Sequence, residues 1–234
     1  MCNARPRNWR SATVAERLDT WLAGEQVVLY AERALYWPRM RTLVIADLHL
    51  GKADHFRRAG IALPVGGTAL DLERLDGLLA ASGASRLLVL GDLLHGQVPD
   101  APWLARWRAF RARWSQVAVE LVAGNHDRAL RRSPERVDAL GIVMHTPLLH
   151  EAPFVFVHAP EDVPAAQAGY VLAGHLHPVL RLPGLSRLPV FRFGAVGILP
   201  AFTAFAGGAR FEPAPDERVF VCAPGALVEV APGA

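Results

Sequence analysis

The apolar positions of this chain fall in short runs that stop abruptly. TLVIA (Thr42 to Ala46), RLLVLG (Arg86 to Gly91), VAVELVAG (Val117 to Gly124), FVFV (Phe154 to Val157) and YVLAG (Tyr170 to Gly174) have strand length and favour aliphatic or β-branched residues. Each ends at a side chain able to do chemistry. Asp47 and His49 follow the first run and Asp92 the second; Asn125 and His126 follow the third, His158 the fourth, and His175 and His177 the fifth. Between the first two runs, TALDLERLDGLLAAS sets Leu72, Leu75 and Leu79 on one helical face. Between the second and third, Trp103, Trp107, Phe110 and Trp114 recur at helical spacing. Helical crossovers of this size suit parallel strands. After His177 the helical signal ends and short strands alternate with Pro and Gly. The pattern predicts an α/β fold, a four-layer α/β/β/α sandwich of two mixed sheets flanked by helices, its second sheet largely antiparallel. No repeat, low-complexity tract or long linker occurs, so residues 1–234 read as a single domain.

Composition changes this picture little. Hydrophobic residues at 52% and charged residues at 20% imply a folded domain with a sizeable core. No apolar run reaches the roughly 18 residues a membrane span needs. Met1 to Arg10 carries arginines without an apolar stretch behind them, which is unlike a secretory signal. Cys2 and Cys222 lie far apart with no CxxC spacing, so neither a disulfide framework nor a cysteine zinc site is expected, and a cytoplasmic location is. The net charge of +3 arises from 25 basic and 22 acidic residues, and Lys52 is the only lysine. Such a balance does not by itself select a nucleic-acid partner.

The donors at the strand ends do select a chemistry. In an open α/β sheet, ligands gather beyond the carboxyl ends of the strands. Asp47, His49, Asp92, Asn125, His158, His175 and His177 would there form a mixed oxygen and imidazole set without sulfur. Such a set suits Mn, Fe or Zn over Mg or Ca. It is too large for one tetrahedral ion and fits two divalent ions sharing a carboxylate, which clamp an in-line displacement at phosphorus and acidify a bridging water. Two divalent ions less two aspartates and one hydroxide leave a charge that a phosphodiester anion neutralises.

These residues, read as DLH at Asp47 to His49, GD at Gly91 and Asp92, GNHD at Gly124 to Asp127, the isolated His158, and GHLH at Gly174 to His177, resemble the calcineurin-like metallophosphoesterases. The resemblance implies one metal held by Asp47, His49, Asp92 and His177, and a second, bridged by Asp92, held by Asn125, His158 and His175. It implies that a metal-bridging hydroxide attacks, that His126 contacts the phosphate and assists the leaving oxygen, and that Asp127 fixes the His126 imidazole. Where many members read GDxxDRG this chain reads GDLLHG, so His95 replaces an aspartate and the arginine used by protein phosphatases is missing. The role of His95 stays open. The stretches Asp47 to Pro64 and Arg187 to Gly208 further resemble the ligase-associated DNA damage response endonucleases called PdeM, through Lys52, Phe56, Arg57, Gly60 and Leu199 to Phe202. Val190 departs from that group, which often has cysteine there. That resemblance implies a manganese-favouring bacterial phosphodiesterase or endonuclease of DNA repair, acting on single-stranded or structured DNA beside a ligase, a helicase and a nuclease.

Competing readings accompany each feature. A phosphoesterase of small molecules (a cyclic nucleotide or a phosphomonoester) and a non-catalytic scaffold of the same fold are the alternatives to a DNA phosphodiesterase. The tryptophan stripe reads as a helix core face ahead of a base-stacking platform. Arg128, Arg131, Arg132 and Arg136 read equally as a phosphate-steering patch or a solvated run. Lys52 and Arg57 are expected to touch substrate, although a chance placement of Lys52 is the plainer alternative. His145 and His150 are left out of the site.

Overall fold

The structure, a computed structural model, describes residues 10–58, 60–61, 66–95, 102–164, 168–181 and 187–231. A seven-stranded sheet runs in the order β2 (Arg17–Leu22), β3 (Glu25–Tyr30), β4 (Ala34–Trp37), β5 (Thr42–Ala46), β6 (Arg86–Leu90), β7 (Ala118–Val122) and β8 (Val143–His145). It is antiparallel as far as β5 and parallel from β5 to β8. The second sheet, of ten strands, runs β1 (Arg10–Ala15), β17 (Ala226–Ala231), β16 (Arg218–Ala223), β13 (Arg187–Phe193), β14 (Val196–Ile198), β11 (Tyr170–Ala173), β10 (Phe154–Val157) and β9 (Leu148–Glu151). A ribbon of β12 (Pro178–Arg181) and β15 (Ala209–Arg210) branches from β13. In this sheet β10, β11 and β14 are parallel neighbours and most other pairs are antiparallel.

Alternation along the central strands places the two cores. On β5, Leu43 and Ile45 face the helices while Val44 and Ala46 face the second sheet; on β6, Leu87 and Val89 divide from Leu88 and Leu90 in the same way. The helical core receives Leu72, Leu75, Leu78 and Leu79 of α2 (Gly67–Ser82) and Trp103, Trp107 and Phe110 of α3 (Pro102–Arg113). Trp107 is fully buried and donates its indole N–H to Leu140 O at 2.9 Å, so the aromatic stripe is core. Each such side chain contributes about 1.5–3 kcal/mol by leaving water. The inter-sheet core joins Val44, Leu88 and Val122 to Phe154, Phe156, Phe191 and Phe220.

The α/β fold of two mixed sheets flanked by helices is observed. Among the described residues the helices contributing to the core (α2, α3, the short α4, Arg128–Arg131, and α5, Pro134–Leu140) all pack on the seven-stranded sheet. The opposite face of the second sheet is covered instead by Val163, beside a 3-10 turn at Pro160–Asp162, and by Leu180 of the β12 ribbon with Phe211.

Two links position the site. Ala46 bridges Ala201, and Phe202 N–H donates to Ala46 O at 2.7 Å, tying the end of β5 to the late Leu199 to Phe202 stretch. At the other end, Arg86 of β6 pairs with Glu151 of β9 through Nη1 to Oε1 at 2.6 Å.

Candidate metal centre

Each candidate donor stands just beyond a strand, and five of the seven adopt a backbone conformation that side-chain-bearing residues rarely take. Asp47 (φ 55°), His49 (φ 50°), Asp92 (φ 49°), His175 (φ 66°) and His177 (φ 45°) are all left-handed. Such residues cost about 1–2 kcal/mol each and persist where surrounding structure over-determines them. Here the surroundings are backbone hydrogen bonds between neighbouring strand ends. Asp47 N–H donates to Gly91 O at 3.3 Å and His49 N–H to Asp92 O at 2.8 Å. Side chains join in: His175 N–H donates to Asp47 Oδ2 at 3.0 Å, and His126 N–H to Asp92 Oδ1 at 2.9 Å.

The donors collect into two groups. Asp47, His49 and His177 form one, and Asp92, His158 and His175 the other, with the donor atoms of each within 4.8 Å of one another. Asn125 Oδ1 lies 2.9 Å from His158 Nε2, which is 3.0 Å from His175 Nδ1 and 3.5 Å from Asp92 Oδ1. The other Asp92 oxygen, Oδ2, is 3.9 Å from His49 Nε2, so this carboxylate faces both groups. All seven candidate donors predicted from sequence are thus brought together.

Burial leaves these atoms short of partners. Both ring nitrogens of His49 are buried without a hydrogen bond, and Asp47 Oδ1 and His177 Nε2 are buried 3.2 Å from each other. Burial, with the charge of Lys52 adding to it, pushes the His49 imidazole down to about 2, so it is neutral and has lone-pair density to offer. Burial opposes charge on His177 too, but Asp47, whose Oδ1 is 3.2 Å from Nε2, outweighs it and the net shift is upward. An unpartnered buried imidazole nitrogen costs about 1–3 kcal/mol or more. These buried atoms all belong to the Asp47, His49 and His177 group, where a divalent cation would satisfy them; in the other group the mixed oxygen and imidazole donors of Asp92, His158 and His175 fit a metal by their chemistry. His158 Nδ1 meets Leu90 O at 3.2 Å and His177 Nδ1 meets Gly207 O at 3.1 Å, the second contacts that orient metal-binding imidazoles.

Around the donors the sequence expectations divide. His126 is half-exposed, with Nε2 3.9 Å from Asp92 Oδ2, at the open side of the centre. Asp127 does not fix the His126 imidazole as expected. It is fully buried and accepts backbone N–H groups instead, from Gly124 at 2.9 Å, Leu94 at 3.2 Å and Leu93 at 3.4 Å. Burial outweighs those bonds and raises its carboxyl to about 6. Asp127 therefore fastens the loop after β7 to the loop after β6. His95 lies over His126 with ring centroids 5.1 Å apart and 25° between planes, and Phe56 stacks on its other side at 5.7 Å. The sequence marked this position only as a departure.

Lys52, at the start of α1 (Lys52–Arg58), is half-buried; burial holds its ammonium below the usual range while Asp47 and Asp92 pull it upward. Arg57 pairs with Asp54 and lines a cavity with Gly66, Thr68, Trp103 and Arg106, a lining that contains no metal donor. In the basic run, Arg131 donates to Ala123 O at 2.6 Å, a structural duty, whereas Arg128 and Arg132 are exposed. Cys222 is a free buried thiol pushed up to about 12 by burial, and Cys2 lies outside the described residues. No helix among the described residues is long and apolar enough to cross a membrane.

A family model described as calcineurin-like phosphoesterase matches residues 40–159, the stretch carrying Asp47, His49, Asp92, Asn125 and His158. The chain belongs to the calcineurin-like phosphoesterases. Like the rest of that family it is a metal-dependent hydrolase of phosphate esters, with two groups of residues that could each hold a metal ion. This calcineurin-like phosphoesterase is similar to the crystal structure of the Pseudomonas putida nuclease MPE, with 36% identity and a TM-score of 0.76, over 88% of this chain and 96% of that one. It also matches Yfce, a phosphoesterase from E. coli, at 20% identity and a TM-score of 0.42, over 80% and 90% of the two chains. A protein from Aquifex aeolicus matches at 16% identity and a TM-score of 0.44, over 68% and 88%. No curated protein matches the sequence.

Proposed function

We propose that this calcineurin-like phosphoesterase hydrolyses phosphodiester bonds in single-stranded or structured DNA with two divalent ions, manganese favoured and iron or zinc compatible with the same donors. The observation that carries the reading is the pair of donor groups facing a shared Asp92, one of them holding the buried His49 ring nitrogens that have no hydrogen-bond partner. Its similarity to the Pseudomonas putida nuclease supports nucleic acid as substrate. A role in DNA repair rests on the resemblance of the Asp47 to Pro64 and Arg187 to Gly208 stretches; Ala59 and residues 62–64 of the first lie outside the described residues.

Asp47, His49 and His177 would hold one ion, and Asn125, His158 and His175 the other, with Asp92 between them. When bound, the ions supply Lewis acidity toward the phosphate and a water acidified for attack. The chain's own residues do the rest. Asp92 anchors the N–H of His126, which points the imidazole along the open side of the pair. From there it can give a proton to a departing alkoxide. His95, itself stacked on Phe56, limits its rotation by stacking. Lys52 offers the half-buried ammonium nearest the aspartates to a non-bridging phosphate oxygen. Asp127 keeps the two donor loops in register.

The test is turnover of bis-p-nitrophenyl phosphate with Mn²⁺. Parent protein is expected to be active, and Asp92→Ala and Asn125→Ala inactive while still folded. Full activity in either variant refutes the assigned centre. Circular single-stranded DNA compared with cyclic nucleotides and phosphomonoesters then identifies the substrate class; preference for a small phosphate ester overturns the DNA reading.

A further inference from the structure

Next to His177 the molecule has a second feature that the chemistry above does not use. A cavity of about 240 Å³ opens at the mouth between the two sheets, bounded by His177, Pro178, Val179, Arg187, Pro189 and Arg33. Its floor is the Gly207–Gly208 pair. Gly207 O receives the His177 ring contact, and a Cβ on Gly208 would sit 2.1 Å from Val179 Cγ1, so only glycine lets the chain pass so close.

Strand register decides what lines its rim. Leu180 and Leu188, opposite each other across β12 and β13, turn to the outer apolar cluster together with Val190. Their neighbours must therefore face the other way, toward the cavity. Val179 and Pro189 do so and form its wall. Arg181 and Arg187 are the next opposed pair on that face, and Arg210 of β15 stands opposite Val179 in the parallel pairing. All three arginines are exposed, and none has a carboxylate in salt-bridge range among the described residues. Setting Arg181 directly against Arg187 is unfavourable for a sheet in isolation, because like charges opposed across strands repel. On the facing wall, Arg33 is held at φ 70° in the turn after β3, with Nη1 donating to Thr203 O at 2.9 Å. Arg33 and Arg187 thus line the cavity, strand register puts Arg181 and Arg210 on the same face beside it, and the lining includes a metal-donor histidine, His177.

We propose that this arginine-faced groove is a track for the phosphate backbone of a single-stranded polynucleotide, guiding the strand into the metal centre from the His177 side. Repulsion among the arginines is relieved when phosphates lie between them, and the counterions those phosphates release favour binding. The groove's continuity with His177 fixes which end of the bound segment meets the metals. The inference rests on the phosphodiesterase reading for its purpose but not for its test.

The test is binding of a fluorescent oligothymidylate in EDTA, where no cleavage occurs, followed by anisotropy across a salt series. Arg181→Gln, Arg187→Gln and Arg210→Gln are combined in one variant, and the three Lys substitutions in another; thermal unfolding checks that both are folded. The glutamine variant is expected to bind at least about tenfold more weakly, with the slope of log K against log salt reduced by about 2 for three phosphate contacts. The lysine variant keeps the charge and is expected to bind like the parent. Binding by the glutamine variant with the parent's affinity and salt slope overturns the track, and so does a parent that does not bind the oligonucleotide. A parent that binds through these arginines yet fails to turn over bis-p-nitrophenyl phosphate with Mn²⁺ supports the track and removes the catalytic reading instead.

Discussion

Adding a single methyl group at Gly91 is expected to disable one of the two donor groups without replacing a donor. Gly91 has φ 75°, and a Cβ built there lies 2.0 Å from His158 Nδ1, 2.4 Å from its Cγ and 2.8 Å from its Cβ. The ring cannot retreat, because it is almost completely buried and holds Asn125 Oδ1 at 2.9 Å and His175 Nδ1 at 3.0 Å. Left-handed strain costs about 1–2 kcal/mol and overpacking about 1–3 kcal/mol, so Gly91→Ala should lose about 2–5 kcal/mol of stability. Gly83 provides the control. Its φ is 63°, but nothing lies within 4 Å of an added Cβ, so Gly83→Ala should lose only the strain. Urea unfolding in EDTA measures both. Calorimetric Mn²⁺ titration should then show one of the two ions bound about 10–100-fold more weakly in Gly91→Ala alone. Equal stabilities for the two variants, with both taking up two ions at parental affinity, would refute the placement of His158 against the β6 turn.

Trp107→Ala should cost about 3–5 kcal/mol by urea unfolding and leave oligonucleotide affinity unchanged; a selective loss of affinity would make the stripe a stacking platform after all. Arg86→Gln removes the clamp on Glu151 and should cost about 1–3 kcal/mol at neutral pH. Because the Arg86 hydrogen bond outweighs burial and lowers the Glu151 pKa, that stability is present above the carboxyl's usual 4.5 and is lost as pH falls through the lowered value. The difference between parent and variant should therefore shrink in acid, and a constant difference from pH 7 to pH 3 would contradict it. Saturating one site at a hundredfold excess over Kd adds about 2.7 kcal/mol, so chelating the metals should lower the melting midpoint by at least about 5 °C; a change below about 1 °C would count against metals bound to the native fold.

Much of the centre was legible because its signals are local. An apolar run ending in a donor needs no knowledge of the rest of the fold, and the runs before Asp47, Asp92, Asn125, His158 and His175 all became strands, β5, β6, β7, β10 and β11, that end at or just before the end of the run. What stayed hidden depends on distant partners. RLDTWL became β2 with an exposed-to-buried alternation too weak to single it out, since its stability comes from pairing with β3. The left-handed backbone at Asp47 and His175 leaves no mark in residue type, because the donor is needed there regardless of strain. The family resemblance implied that Asp127 fixes the His126 imidazole; the fold instead closes the backbone N–H groups of Leu93 and Leu94 on its carboxylate, a contact that depends on distant partners. Asp71 gave no signal either, yet it is buried and accepts the Thr203 hydroxyl at 2.8 Å, holding the stretch after Phe202 against α2.

Neither donor group belongs to one sheet. Asp47 and His49 leave β5 while His177 leaves β11, and Asp92 leaves β6 while His158 and His175 leave β10 and β11. Each cation would thus act as a rivet through both slabs of the molecule, and a slip of one slab along the other by a single residue would pull every donor set apart. Metal affinity in this protein is in effect a vernier on sheet alignment. Substitutions buried deep in the phenylalanine layer, remote from any phosphate, should register first as a leaking metal and only later as unfolding.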